Sequence, residues 1–320
     1  MRSIVRSSKA ACGAFEPLTK SVIFASLVLL LLGVCAMAAA HADERIFDRK
    51  VAADPHGTVE ISNVAGRIAV SGWDGAEVDV HGELGEGVDR VDVESDHGRT
   101  TIKVIVPNNS FRSVSTNLRV RVPRASELDI SAVSADVTET DVQGALQLKT
   151  VSGDVKADIF QKGAELKTVS GDVVLRGRGE GSELHISTVS GNIRVDHGAG
   201  ALEATTVSGD LNVHLDSTKD VRVRTTSGDM SFEGKLLRGG SIDAESVSGE
   251  LTVRAIPESG YDYEVTTFSG DITNCMGVQS ERVSKYGPGT RLVGTQGQSA
   301  EGARIRVKTM SGDVELCSKN

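Results

Sequence analysis

Aromatic residues are scarce in this 320-residue chain, which carries one Trp, three Tyr and seven Phe. That leaves little surface for stacking on bases or gripping sugar rings. Positive charge is also short: 35 basic residues face 44 acidic ones, a formal −9, so nucleic-acid binding has no electrostatic footprint. Cysteines number four and prolines six. The 35 glycines follow no G-X-Y period, which excludes collagen. Hydrophobic residues at 39% and charged residues at 25% exclude wholesale disorder. The length fits two average domains or one elongated repeat domain.

The first segment has the composition of a targeting signal. Arg2, Arg6, Lys9 and Lys20 precede an apolar stretch from Val22 to Ala40, followed by Ala40-His41-Ala42. A basic start, an apolar middle and an A-x-A site read as a secretory signal peptide over 1–42, cut after Ala42. An uncleaved anchor is the alternative, since about nineteen apolar residues just reach across a bilayer. A lipoprotein reading through Cys35 is poor, because Val34 stands where a small residue belongs. Cleavage leaves 31 basic and 43 acidic residues, a formal −12, and no further membrane span. Cys12 and Cys35 leave with the signal; Cys275 and Cys317 stay in an exported chain, where a disulfide persists. The expected location is periplasmic, outer-surface or extracellular.

The rest is a repeat. The pattern [ST]-x-Ser-Gly recurs around Gly153, Gly171, Gly191, Gly209, Gly228, Gly249, Gly270 and Gly312, with spacings of 18, 20, 18, 19, 21, 21 and 42. Degenerate copies stand at Ser134-Ala135-Asp136 and Ala65-Gly66-Arg67. Counted from the glycine, positions −7 and −5 are apolar, −3 is Thr or Ser, +1 is acidic or Asn, and +2 is apolar, usually with +4. Alternation at period two predicts two half-buried strands per repeat, with Ser-Gly-Asp as the bend between them. One unit cannot bury its apolar face, but stacked units can. The expected fold is therefore all-β: a single-chain parallel β-solenoid of about ten coils, wound right-handed as parallel crossovers are. A β-propeller fits poorly, because its blades need about 40 residues each.

Residues 43–130 are less regular and predict a β-rich N-terminal module that covers the open end of the 131–320 solenoid. Val91–Val93 and Ile102–Val104, around Asp96-His97-Gly98, predict an antiparallel hairpin. Segment 277–302 predicts a polar loop insertion. Cys275 and Cys317 both stand five residues after a repeat glycine. If their coils are neighbours, the Cα atoms lie about 4.8 Å apart, within disulfide range. The bond is then expected to clamp the Gly312 coil as the last of the stack.

Chemistry is thin. The column of acids at +1, with Asp154, Asp172, Asp210, Asp229, Asp271 and Asp313, is a weak calcium candidate. The competing expectation is that each Asp bonds backbone N–H groups of its own bend. Polysaccharide-cleaving β-helices use clustered carboxylates, but here the acids follow the repeat. His56, His81, His97, His185, His197 and His214 show no H-x-H or H-x-x-x-H spacing, so a zinc site is unsupported. No G-x-S-x-G elbow occurs. Arg119, Arg121 and Arg124 read as a solvated strand face, and Trp73 as an anchor in the end module.

Ile61-Ser62-Asn63-Val64-Ala65-Gly66-Arg67-Ile68, then Gly72-Trp73-Asp74, resembles the opening of the bacterial putative-adhesin β-strand-repeat family, domain of unknown function 4097. Leu118–Pro123, the serial Thr-Val-Ser-Gly-Asp-Val units and Tyr286-Gly287-Pro288-Gly289 are similar to its body. The resemblance implies an exported, envelope-associated solenoid and supplies no catalytic residues. The expected function is a non-enzymatic binding or structural scaffold with no cofactor, meeting an envelope or surface component. A carbohydrate-active β-helix and a calcium-stabilised adhesin are the alternatives.

Overall fold

Alternating Val, Ile, Leu and Thr residues bury one face of almost every strand from Thr58 onward. The computed structural model describes residues 45–107, 114–178, 181–284, 288–297 and 302–318. The expected signal over 1–42, with Cys12 and Cys35, and residues Tyr286 and Gly287 lie outside the described residues. Among the described residues every regular element is a strand, and all of them join one hydrogen-bonded, mostly parallel sheet system. They belong to one compact unit, Asp43–Asn320.

Each repeat contributes two strand arms around its bend. The first arm pairs in parallel with the first arm of the next unit, as Leu148 does with Leu166 and Leu166 with Ile186. The second arms do likewise. This builds one continuous buried column at +2, running Leu118, Ile68, Val137, Val155, Val173, Ile193, Leu211, Met230, Leu251, Val314, Ile272. Burial of each such side chain is worth about 1.5–3 kcal/mol. The Thr or Ser at −3 is buried too, and in four units its hydroxyl donates to the carbonyl of the −1 serine, as Thr150 does to Ser152 at 3.1 Å and Ser246 to Ser248 at 3.1 Å. Thr267 donates instead to the Gly312 carbonyl at 3.2 Å, and Thr188, Thr206 and Thr309 leave theirs unpaired. Where the bond forms, it satisfies a hydroxyl that burial removes from water.

At both ends the stack departs from chain order. Val314 pairs with Leu251 on one side and Ile272 on the other, so the Gly312 unit is inserted between the Gly249 and Gly270 units. The expectation that Gly312 ends the stack is thus corrected. The Gly270 unit is the outer one, and Thr290–Gln296 runs antiparallel along its Tyr261–Ser269 strand. Part of the expected loop insertion is therefore edge-covering strand. At the other end Ser115–Pro123 lies outside Thr58–Trp73, although it follows it in the chain. Arg90–Asp96 and Arg99–Ile105 form the antiparallel hairpin. Glu77–Leu84 and then Arg45–Ala52 add antiparallel strands, ending on an edge rich in Arg, Lys and Asp. Charged edges resist pairing with further chains. Glu127–Thr140 runs unbroken across residue 130, in register with both Thr58–Trp73 and the repeats.

Candidate functional site: the bend corner of the stack

The bends line up as a corner. All eight repeat glycines (Gly153, Gly171, Gly191, Gly209, Gly228, Gly249, Gly270 and Gly312) take positive φ, from 120° to 152°. A Cβ on Gly209 would strike the carbonyl oxygen of Gly191, and the same holds along the column. Both the backbone conformation and the close approach of successive coils thus call for glycine.

Beside them the +1 residues form an inter-coil ladder. The Asp172 N–H donates to Asp154 Oδ1 at 3.0 Å, Asn192 to Asp172 at 2.8 Å, Asp210 to Asn192 at 2.9 Å and Asp229 to Asp210 at 3.0 Å. The Asp271 N–H donates to Asp313 Oδ1 at 2.9 Å, following the swapped order. The side chain bonds the next coil, not its own bend as expected from the sequence. Asn192 performs the same task as its acidic neighbours, so the ladder requires a side-chain oxygen and not a charge.

On the other side of the bend, position −2 points outward. Val133, Val151, Val169, Val189, Val207, Val247, Met310 and Phe268 are each between 46% and 60% exposed. In stack order they make an apolar stripe, interrupted by Thr226, that ends in a groove of about 580 Å³ lined by Val207, Val247, Phe268 and Met310. An exposed apolar row of this length is the candidate interaction surface of the molecule. The sequence signal for it was available: with −7, −5 and −3 facing inward, an apolar residue at −2 has to face solvent.

The other candidates disperse into structural roles. Arg119 pairs with Glu83 at 3.0 Å, Arg124 with Asp74 at 3.0 Å, and Arg121 lies over the Trp73 ring at 4.3 Å. Trp73 Nε1 donates to the Glu77 carbonyl at 3.0 Å. A shallow groove carries Glu127, Asp129, Glu165 and Glu183, but its Glu165 carboxyl is held below the ordinary range by Lys167. The acid pushed upward is Glu139, to about 8 by burial, and it is sealed inside the sheet. A glycosidase-type general acid needs a raised pKa facing substrate. Cys275 and Cys317 form a disulfide with Cα atoms 4.9 Å apart.

Among solved structures, the chain is similar to a putative adhesin from Parabacteroides distasonis, with 10% identity, 86% of this chain and 98% of that chain covered, and a TM-score of 0.46. It is similar to a putative adhesin from Bacteroides fragilis at 12% identity, 87% and 99% coverage and a TM-score of 0.38. A putative lipid binding protein from Parabacteroides distasonis matches at 12% identity, 86% and 98% coverage and a TM-score of 0.32. No curated protein matches the chain. The Toastrack DUF4097 family model matches residues 54–197, 99–236 and 180–317, so that together the three matches span the stack from its first coil to its last; the chain belongs to this family.

Proposed function

We propose that the protein is an exported, non-enzymatic scaffold, a right-handed solenoid of about ten coils, that binds through the apolar stripe at its bend corner. The exposed −2 row carries this reading. Export is supported by the Cys275–Cys317 bond, which persists in oxidising compartments, and by the signal composition of 1–42. Among the described residues no helix is long and apolar enough to cross a membrane.

The rows beside the stripe indicate what covers it. On one side, position −4 carries Lys149, Lys167, Arg224 and Lys308 with Ser187, Thr205, Thr266 and a single acid, Glu245, which pairs with Arg224; on the other, position +1 is acidic in nearly every unit. Two copies facing each other about a two-fold axis along the stripe set basic row against acidic row and valine against valine. An axis across the stripe would oppose like charges. A second copy of the chain, with stacks parallel, is therefore the fitting occupant. Sedimentation of the protein across a concentration series tests this. A salt-sensitive dimer is expected, lost in the Val189→Ser, Val207→Ser, Val247→Ser variant. Monomeric wild type at all concentrations, or a variant that dimerises equally well, overturns it.

A further inference from the structure

The sequence offers no zinc motif, yet the stack brings two histidines and a carboxylate together. His197 follows the Ile193–Asp196 strand, and His214 lies in the strand of the next coil, where it is the register partner of Asp196. The rings meet edge-on with centroids 5.5 Å apart. Asp216, two residues beyond His214 on the same strand face, places Oδ1 3.2 Å from His197 Nδ1. One potential ligand atom from each of the three lies within 4.8 Å of the others.

Three further observations set this cluster apart. First, both histidines depart from the repeat. Where His214 stands, other units carry Asp158, Arg176, Asp196, Glu233, Arg254 or the disulfide cysteines Cys275 and Cys317. Second, His197 adopts φ of 64°, a left-handed conformation that among the described non-glycine residues only His97 and Asp141 share. Gly198 follows at φ 95°. This bend carries the imidazole over the neighbouring coil. Third, the backbone around the cluster is pinned: the His197 N–H donates to the His214 carbonyl at 2.8 Å and the Asp216 N–H to the Gly198 carbonyl at 3.0 Å. The Gly198 N–H donates to Asp216 Oδ2 at 3.2 Å, which orients the carboxylate.

We propose that His197, His214 and Asp216 bind a divalent transition-metal ion, zinc foremost. Imidazole nitrogen with one carboxylate oxygen suits Zn²⁺, Ni²⁺ or Cu²⁺, whereas Ca²⁺ asks for six to eight oxygens. Tetrahedral Zn²⁺ takes His nitrogen at about 2.0–2.1 Å and Asp oxygen at about 2.0–2.2 Å, so its ligand atoms sit roughly 3.3 Å apart. Exposed side chains on two pinned coils reach that spacing by rotamer adjustment. All three residues are exposed, so the fourth coordination position opens to solvent, free for water or a side chain of another protein. The ion would bridge adjacent coils and stabilise the stack by mass action. This site is independent of the stripe, which lies on the other side of the bend.

The test is calorimetric titration of the full-length, oxidised protein with ZnCl₂, alone and in excess CaCl₂. One zinc per chain is expected, unaffected by calcium, with affinity at least about tenfold weaker in His214→Ala and in His197→Asn. Asn tolerates the left-handed backbone, so His197→Asn keeps the fold. As a second measurement on wild type, zinc should protect His197 and His214 from diethylpyrocarbonate while His56 and His97 react as before. Absence of zinc uptake, uptake unchanged in either variant, or unprotected His197 and His214 would each overturn the proposal.

Discussion

Ser311 is the register partner of Ser248, although the Gly270 unit separates them in the chain. The last unit closes a place that the chain has already passed, with Ser269 on its other side. Its apolar residues Ile305, Val307, Val314 and Leu316 are therefore buried between two neighbours, while the Gly270 unit takes the edge and is covered by Thr290–Gln296. The N-terminal end repeats the device, with Ser115–Pro123 placed outside Thr58–Trp73. At the Gly312 end, therefore, fraying of the last unit would have to open an internal seam between the Gly249 and Gly270 units.

The disulfide locks that seam. Cys275 and Cys317 close a 42-residue separation, and loop-closure entropy for this length corresponds to about 4 kcal/mol. The Cys275→Ser, Cys317→Ser variant should melt lower, with faster amide exchange in Tyr261–Ser269 and Ala303–Ser311 and unchanged exchange in Leu146–Ser152. Exchange that rises uniformly along the stack, or not at all, would contradict a local clamp.

The bend glycines should tolerate no side chain. At Gly209, φ is 143° and a Cβ would meet the Gly191 carbonyl, so Gly209→Ala is expected to cost more than about 2 kcal/mol in denaturant unfolding. Gly239 also has positive φ, at 68°, but open space around it. Gly239→Asn should stay within roughly 1 kcal/mol of wild type. Equal costs at the two positions would remove close coil approach as the reason for the glycine column.

The repeat register was legible because +2 and −5 alternate cleanly with polar neighbours, and that alternation is the burial pattern itself. The order of the end coils was not. Val314, Ile272 and Leu251 are chemically interchangeable, so nothing local says which of them touch; the long Gly270-to-Gly312 interval was the one hint. The stripe at −2 was written in every Thr-Val-Ser-Gly, but a recurring valine draws attention as core before its phase is counted. The His197–His214 pair escaped motif spacing altogether. Its 17-residue separation becomes adjacency only once the 18-residue step between coils is known.

The +1 ladder makes a chemical distinction between Asp210→Asn and Asp210→Ala. The Asp229 N–H donates to Asp210 Oδ1, and Asn192 shows that an amide oxygen serves equally at this position. Asp210→Asn should leave thermal stability near wild type, while Asp210→Ala loses about 1 kcal/mol. If Asn proves as damaging as Ala, the carboxylate charge has a task of its own, and calcium-dependent melting would be the measurement to follow.

Glu139 supplies a pH dependence with a definite sign. It stands at +4 of the Ser134-Ala135-Asp136 unit, where neighbours carry Ala157, Leu175 and Val195, and it is buried. Burial lifts its carboxyl to about 8, and the nearby Asp158 and Asp141 charges add to this; N–H bonds from Val142 at 2.9 Å and Asp158 at 3.0 Å oppose it without prevailing. The folded state therefore holds a proton that the unfolded chain, near 4.5, has released. The contribution of Glu139 to stability is greatest below that lower value, falls as pH rises from about 4.5 to about 8, and levels off above, the loss being on the order of a few kcal/mol. Glu139→Gln should flatten this slope. Its absolute stability should fall, because an amide offers one acceptor where the two N–H groups need two. The slope is thus the informative quantity: urea unfolding of wild type and variant at pH 5, 6.5 and 8 should give converging stabilities toward pH 8. Parallel slopes would assign the proton elsewhere.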